Sequence, residues 1–153
     1  MEIIKQSQLS LQHKKTILEL WNNEYPKNLE YQTVDEFENY LSNLLNPTHY
    51  LLLINDNLIG WAFTFIRENE TWFAIIISDK FQQKGYGKIL LNELKKDHLF
   101  LNGWVIDNNN QLKSNGNLYK SPLEFYIKNE FAIIDNIRLE TEKLSAVKII
   151  WNN

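Results

Sequence analysis

Apolar positions in the first third of the chain recur at helical spacing. The stripe over residues 10–21 predicts an amphipathic helix that stops at Pro26. A second stripe over residues 37–45 predicts a helix that Thr33 caps and that continues until Pro47. We therefore expect this third to be helix, loop and helix, after a short β-prone segment at residues 1–5.

The period then changes to that of strands. Residues 49–55, 58–67 and 71–78 are apolar, β-branched or aromatic runs, separated by turn signals at Asp56-Asn57 and Glu68-Asn69-Glu70. They predict an antiparallel meander. The remaining predicted elements are a helix over 85–97, a strand over 101–106, a loop over 107–120, a short helix over 121–129 and strands over 131–134 and 146–151. This order predicts an α+β fold with one mixed sheet.

Composition limits the class of protein. The 153 residues are 44% hydrophobic and 23% charged, as in ordinary globular chains, and the length predicts a single domain over residues 1–153. The net charge is −3 and no basic patch is interleaved with aromatic residues, so nucleic-acid binding has no support. Neither a signal peptide nor a membrane-spanning run is visible, so we expect a cytoplasmic protein with no membrane partner.

Cysteine and histidine narrow the chemistry further. The chain has no cysteine, which excludes thiolate metal sites and a cysteine nucleophile. Its three histidines, His13, His49 and His98, have no partner at metal-ligand spacing, so we expect no metal.

One segment concentrates the candidate chemistry. The predicted buried strand ends at residues 75–77, a polar loop follows with Gly85 and Gly87, and an amphipathic helix starts at once. The first N–H groups of a helix lack intrahelical acceptors and lie at the positive end of its dipole, so this arrangement predicts an anion site. Lys84 and Lys88 add positive charge beside it. A glycine-rich connector that binds nothing is the alternative.

Two motifs carry a resemblance to a known family. Gln82-Gln83-Lys84-Gly85-Tyr86-Gly87 matches the Gln/Arg-x-x-Gly-x-Gly/Ala signature of the GNAT superfamily of N-acetyltransferases, and Gly60 also fits. Phe125-Tyr126-Ile127-Lys128-Asn129-Glu130-Phe131 is similar to its Phe-Tyr-x-Lys-x-Gly-Phe segment. The resemblance in element order covers essentially the whole chain. It implies a mixed, mostly antiparallel sheet of about seven strands, with helices on both faces and a splay between the fourth and fifth strands.

The resemblance implies that acetyl-CoA is the cosubstrate and that an amine of a small molecule or peptide is the acceptor, acetylated by direct attack. Loop amides would hold the pyrophosphate and the preceding strand end would pair with the pantetheine arm. Tyr126 would protonate the departing thiolate, because a phenol with a pKa of about 10 is protonated at neutral pH; a core tyrosine is the alternative. The implied cofactor-binding residues are Ile75, Ile76, Ile77, Gln82, Gln83, Lys84, Gly85, Tyr86, Gly87, Lys88 and Asn108.

The sequence departs from the family pattern in two places. Glu130 stands where glycine is usual, so we expect the short helix to end without a left-handed glycine cap, with Asn129 able to take that conformation. The loop over residues 107–120 is longer than usual. In the family, the corresponding link commonly supplies an asparagine that contacts the cofactor. Asn108, Asn109 and Asn110 are the candidates for this role here.

The acceptor side is less specific. Asp107 is the best-placed candidate for a catalytic base and Glu70 is second, although either can be a solvated loop acid and water can relay the proton. Trp21, Tyr25, Tyr31 and Tyr40 are expected mainly in the core, yet in the family this helical region walls the acceptor site, and aromatic walls suit an amine next to an apolar or ring group.

Two other readings of the function stay open at this point. One is a non-catalytic acyl-CoA-binding or sensory module on the same fold, and the other is an interaction domain whose glycine loop binds nothing. Because dimers are common in the family, the resemblance also allows a homodimer.

Overall fold

The computed structural model describes all 153 residues, Met1–Asn153. The strands are β1 (Glu2–Gln6), β2 (Leu45–Ile54), β3 (Asn57–Arg67), β4 (Glu70–Ile77), β5 (Phe100–Ile106), β6 (Ala132–Glu140) and β7 (Ser145–Asn152). The α-helices are α1 (Leu11–Glu24), α2 (Val34–Ser42), α3 (Tyr86–Asp97) and α4 (Leu123–Lys128). Short 3₁₀ turns follow α1 and β4, at Lys27–Leu29 and Asp79–Phe81.

All seven strands form one sheet in the order β1-β2-β3-β4-β5-β7-β6. Only β4 and β5 run parallel; every other neighbouring pair is antiparallel. The helices α1 and α2 pack one core against one face of the sheet, and α3 and α4 pack a second core against the other. Because both faces are covered, the central strands are long apolar runs rather than alternating ones. The predicted mixed sheet with helices on both faces is confirmed.

The second helix ends earlier than the sequence predicts. It stops at Ser42 rather than running to Pro47, which lies inside β2. Between the pairs Leu45↔Ile66 and Thr48↔Thr64, β2 holds one residue more than β3. Pro47 is tolerated there because a bulge does not need every ladder N–H. The prediction was wrong because the apolar residues just before Pro47 fit either period.

Both turns of the meander differ slightly from the prediction. The first turn is Asn55-Asp56, one residue earlier than expected, and the second is Glu68-Asn69, so that Glu70 belongs to β4. All four turn residues have positive φ, between 49° and 64°. Such two-residue turns suit a hairpin because their twist matches that of the strands.

The end of α4 corrects the expectation about its cap. Glu130 itself is left-handed, with a φ of 72°, whereas Asn129 has a φ of −102°. The N–H of Phe131 donates to the carbonyl of Tyr126 at 3.0 Å, which is the long hydrogen bond of a Schellman ending. The Lys95 ammonium donates to the Asn129 carbonyl at 2.6 Å. The left-handed position is therefore kept, without glycine.

Candidate active site

Six backbone N–H groups at the start of α3 have no acceptor in the protein. We call them the amide row. The first N–H beyond them, that of Ile89, donates to the Gly85 carbonyl at 3.1 Å. Gly85 precedes the helix with a φ of 89°, a conformation that favours glycine. Free donors at the positive end of a helix form an anion site. The residues of the amide row are Gln83, Lys84, Gly85, Tyr86, Gly87 and Lys88.

A buried carboxylate holds the turn that leads to the amide row. Glu24, at the end of α1, is only 7% exposed and accepts from the N–H of Asp79 at 2.9 Å. It also contacts Nε2 of Gln82 at 3.5 Å, while the same amide donates to the carbonyl of Ile77 at 2.8 Å. Lys113 completes the arrangement with an ion pair to Glu24 at 3.1 Å. These contacts join α1, the turn and the loop over residues 107–120.

The two lysines of the amide row supply charge in different ways. The Lys84 ammonium donates to the carbonyl of Lys80 at 3.0 Å and lies 5.6 Å from the centroid of the Phe81 ring, so it is held beside the turn. Lys88 is exposed on the first turn of α3. Both are therefore close to the free N–H groups, where they would favour an anion.

The second glycine of the motif serves packing. A Cβ at Gly87 would lie 3.3 Å from the ring of Phe125, so glycine lets the first turn of α3 approach α4. Tyr86, between the glycines, packs its ring edge-on against Phe81 at 6.1 Å. The turn is thus fixed by side chains on both sides of its N–H groups.

The parallel strands β4 and β5 separate soon after they meet. Their one paired position is Trp72↔Asn102. Further along β4, Ile75, Ile76 and Ile77 pair with β3 on one edge and face no strand on the other. That edge offers backbone donors and acceptors to an extended ligand, in the manner of an added strand. The predicted splay between the fourth and fifth strands is confirmed.

An apolar cavity of about 320 Å³ occupies this separation, and we call it the splay cavity. Nineteen of its 22 lining residues are hydrophobic, and they come from α1, α2, every strand from β3 to β7, α4 and the loops between these elements. Trp21, Tyr25, Tyr31 and Tyr40 are among them, so the aromatic wall lies next to the gap.

Tyr126 lines the splay cavity from α4. The residue is 7% exposed, and its ring packs against Phe73 at 5.7 Å and Phe131 at 5.3 Å. Burial, and then the neighbouring Tyr119, raise the pKa of its hydroxyl above the ordinary value. The phenol is therefore protonated at neutral pH, and no hydrogen bond to the protein holds its proton.

Two further tyrosines, Tyr119 and Tyr25, line the splay cavity near Tyr126, and their connection with it was not predicted from the sequence. Burial raises the pKa of Tyr119 to about 12, and burial followed by Tyr119 and Tyr126 raises the pKa of Tyr25 well above its usual value. The three hydroxyls are close enough to influence one another electrostatically. Tyr119 lies in the long loop and Tyr25 follows α1, so no motif or spacing joins them to Tyr126.

The structure gives both candidate bases other partners. The Arg138 guanidinium binds the Asp107 carboxylate through two hydrogen bonds, at 2.8 and 2.9 Å. These bonds hold the pKa of Asp107 below its usual range and make it a weaker base. Glu70 is exposed, 3.9 Å from the Lys148 ammonium. Neither carboxylate lines the splay cavity.

The candidate asparagines follow the end of β5. The side-chain oxygen of Asn108 accepts from the N–H of Asn110 at 3.1 Å, which forms a local turn. The oxygen of Asn109 accepts from the N–H of Ser121 at 2.9 Å and so joins the loop to the segment before α4. A cofactor contact from Asn108 stays a prediction.

The described chain contains no cluster of three metal-ligating side chains. No helix is both long enough and apolar enough to cross a bilayer.

A seven-stranded mixed sheet that opens at its one parallel pair is the fold of N-acetyltransferases. The chain belongs to the acetyltransferase (GNAT) family, whose model matches residues 14–112. This match contains the amide row and β4 but ends before Tyr126, so the role of Tyr126 depends on the second motif and on geometry. No protein of curated function matches the sequence.

Solved structures agree with this fold. An aminoglycoside 6′-N-acetyltransferase complexed with coenzyme A has a TM-score of 0.75 at 15% identity, covering 99% of this chain and 97% of that one. The aminoglycoside 6′-N-acetyltransferase from Enterococcus faecium has a TM-score of 0.71 at 15% identity, with 99% and 97% coverage. A ribosomal-protein-alanine N-acetyltransferase from Brucella melitensis has a TM-score of 0.71 at 12% identity, with both chains fully covered. At these identities the likeness shows the fold alone.

Proposed function

We propose that this protein transfers the acetyl group of acetyl-CoA to an amine by direct attack. The amide row carries the proposal, because free N–H groups lie beside an open strand edge and a cavity that holds a protonated phenol. The complex of a structural neighbour with coenzyme A supports the same cosubstrate. The cytoplasmic location and the homodimer stay predictions from the sequence.

The residues present fit an acyl-CoA. The amide row and the charges of Lys84 and Lys88 would hold the pyrophosphate, and the free edge of β4 at residues 75–77 would pair with the amides of the pantetheine arm. Asn108, at the end of β5, is the candidate for a further contact. Acetyl-CoA would supply an activated acyl group, since its thioester is cleaved more readily than the amide that replaces it.

Tyr126 would act as the general acid. As the bond from nitrogen to the acyl carbon forms and the carbon–sulfur bond breaks, the leaving sulfur needs one proton and the amine gives up one. The Tyr126 hydroxyl lies in the splay cavity, and burial keeps it protonated until the thiolate takes its proton.

Water is the better candidate for the first acceptor of the amine proton. The ion pair with Arg138 stabilises the ionised form of Asp107 and lowers its basicity. Glu70 lies outside the splay cavity. Asp107 therefore stays a prediction from the sequence, and a relay through water to bulk solvent agrees better with the contacts.

Tyr126→Phe tests the proposal. The ring contacts with Phe73 and Phe131 are kept, so the fold and the affinity for acetyl-CoA should be retained. We expect kcat to fall by about 100-fold or more, since a positioned acid contributes roughly 10²–10⁴-fold. Thiol release with an amine acceptor would measure turnover, and titration calorimetry would measure acetyl-CoA binding.

Tyr119→Phe is the matched control, because it removes a hydroxyl from the same cavity. Unaltered kcat in Tyr126→Phe would show that Tyr126 is not the acid, and an equal loss in both variants would show that the effect is not specific to Tyr126. Binding of acetyl-CoA with no turnover on any amine would instead favour the alternative, a non-catalytic acyl-CoA-binding module.

A further inference from the structure

The splay cavity is lined by one charged residue, and that residue is a cation. Of its 22 lining residues, three are not hydrophobic, and among these Arg67 is the one that carries a charge. No carboxylate lines the cavity. A cationic acceptor with several amino groups would therefore lose hydration there without gaining a counter-charge.

Arg67 places a positive charge at this cavity. It ends β3, is exposed, and makes no ion pair. Its guanidinium carbon lies 5.2 Å from the centroid of the Phe65 ring and 5.5 Å from that of Trp72. Rings at this distance hold the guanidinium without neutralising it. Its N–H donors are thus available to an anionic group.

Two indole N–H groups, those of Trp72 beside Arg67 and of its neighbour Trp104, are buried without a partner in the protein. Nε1 of Trp72 and Nε1 of Trp104 have no acceptor, although Trp72 is only 6% exposed. The two rings line the splay cavity with centroids 5.1 Å apart. Buried donors are nearly always paired, so unpaired ones in a cavity wall point to a ligand that supplies acceptors.

The charges nearest to these indoles agree with an anion. The Lys148 ammonium lies 5.4 Å from the centroid of the Trp72 ring. Its partner Glu70, at 3.9 Å, is exposed and does not line the cavity. The local balance of charge beside Trp72 is therefore positive, with Arg67 unpaired.

A neighbouring hollow does contain carboxylates, but other groups occupy them. Glu30 and Glu36 line this hollow together with Lys143. Glu36 accepts from the N–H of Gln32 at 2.9 Å, and Glu30 accepts from the Gln32 amide and the Ser114 hydroxyl, both at 3.2 Å. These contacts favour a role in the local loops over recognition of a polycation.

The spacing along β4 sets the length of the acceptor. Trp72 lies where β4 and β5 are paired, and Ala74 and Ile75, two and three residues further along β4, also line the splay cavity. At about 3.3 Å per residue this is a distance of roughly 7–10 Å. A benzene ring with an aminomethyl group and a carboxylate at opposite positions has this length, and its flat apolar body suits aromatic walls.

We propose that the acceptor is an aromatic amine that carries a carboxylate at the end opposite the amine, with the carboxylate bound by Arg67 beside the indole N–H groups of Trp72 and Trp104. The inference depends on the proposed function for the position of the amine. The assignment of the anion site to Arg67 does not depend on the proposed function.

A matched pair of acceptors tests the proposal. With acetyl-CoA at saturation, kcat/KM for 4-(aminomethyl)benzoate should exceed that for benzylamine by roughly 10- to 100-fold, the usual effect of hydrogen bonds to a charged group. Kanamycin, a polycationic aminoglycoside, should be the poorest acceptor. Equal values for the first two, or a preference for kanamycin, would overturn the proposal while leaving acetyl transfer in place.

Variants connect the preference to Arg67. Arg67→Met should reduce the ratio of the two kcat/KM values to near one, through a higher KM for the carboxylate acceptor. Arg67→Lys should restore part of the ratio. Lys15→Met, an exposed cation on α1, is the control and should leave the ratio unchanged. An unchanged ratio in Arg67→Met would contradict the assignment of the anion site.

A binding measurement separates this proposal from the proposed function. The acetylated product 4-(acetamidomethyl)benzoate should raise the melting temperature more than N-benzylacetamide, with or without turnover. If it does so while no amine is acetylated, the anion site stands and the transferase proposal fails. If neither product changes the melting temperature while acetyl-CoA does, the acceptor proposal fails.

Discussion

His49 shows how burial changes the chemistry of one residue. It lies at the centre of β2, 3% exposed, and Nδ1 accepts from the indole N–H of Trp61 at 3.2 Å. Burial, and then the charge of Lys14, lower the pKa of His49 from 6.5 to about 4. The imidazole is therefore neutral in the folded protein at neutral pH and belongs to the core rather than to a metal or catalytic site.

This shift predicts a loss of stability in mild acid. Below pH 6.5 the unfolded chain protonates His49 while the folded protein does not, so the free energy of unfolding should decrease as the pH falls from about 6.5 to about 4. The full effect is about 3 kcal/mol, from a difference of 2.5 pKa units. Urea unfolding at pH 7.0, 5.5 and 4.5 would measure it.

His49→Gln isolates the effect, because glutamine offers Trp61 an acceptor and does not titrate. The variant should have a flatter pH dependence in this range, whereas His13→Gln should keep the steep one. Burial also lowers the pKa of His98, which acts in the same direction and leaves some slope. The paired carboxylates of Asp97 and Asp107 have lowered pKa values and contribute below this range. An unaltered slope in His49→Gln would contradict the assignment.

Candidate site residues that lie in motifs could be proposed from the sequence, and the others could not. Tyr126 and the amide row belong to short segments whose chemistry follows from local order. Glu24 and Lys113 are 89 residues apart, and no spacing rule connects them. Arg67, at the end of a predicted strand, gains its meaning only when Trp72 and Trp104 are placed beside it. Contacts across the fold set these roles.

At the scale of elements, the turn before α3 is the one whose backbone geometry matters most for the proposed binding of acetyl-CoA. Gly85 has a φ of 89°, and a Cβ there would meet no atom within 4 Å. Gly116, in the long loop, has the same properties, with a φ of 86° and no atom near a Cβ. A substitution at either position therefore strains the backbone to a similar degree, but only Gly85 lies in the amide row.

Gly85→Glu and Gly116→Glu form a matched pair for this element. Gly85→Glu should lower the affinity for coenzyme A by roughly 100-fold or more, because a carboxylate among the free N–H groups repels a diphosphate and fills its place. Gly116→Glu should bind coenzyme A like the parent protein. Calorimetry would measure both affinities, and unfolding would show that the two variants are similarly destabilised. Equal affinities would contradict the assignment of the amide row.

Element boundaries were predicted best where the apolar pattern fits only one kind of secondary structure. The helix α3 and the strand β4 agree with the sequence to within about one residue, because their apolar periods are uninterrupted. The end of α2 was wrong because two periods fit the residues before Pro47. The left-handed Glu130 was missed since a non-glycine residue in that conformation is unfavourable by about 1–2 kcal/mol, a strain that tertiary contacts must offset.

At the scale of the whole molecule, the sheet is weakest where the ligand is expected. Six pairs of neighbouring strands hold it together, and β4 and β5 share only the position Trp72↔Asn102. The splay cavity takes the place of the missing ladder. A ligand that pairs with the free edge of β4 and binds the amide row would therefore support both halves of the sheet.

Acetyl-CoA should consequently stabilise the fold. The contributions of its pantetheine arm and its pyrophosphate to this stabilisation can be measured separately. At 100 times its dissociation constant a ligand adds about 2.7 kcal/mol to the free energy of unfolding, a rise of roughly 5–10 °C in melting temperature for a domain of this size. S-acetylpantetheine lacks the pyrophosphate and cannot use the amide row, so at equal concentration it should give a smaller rise. In Gly85→Glu the two compounds should act alike. Equal rises in the parent protein would show that the diphosphate and nucleotide add no binding free energy, because only these parts distinguish the two ligands, and would contradict the assignment of the amide row.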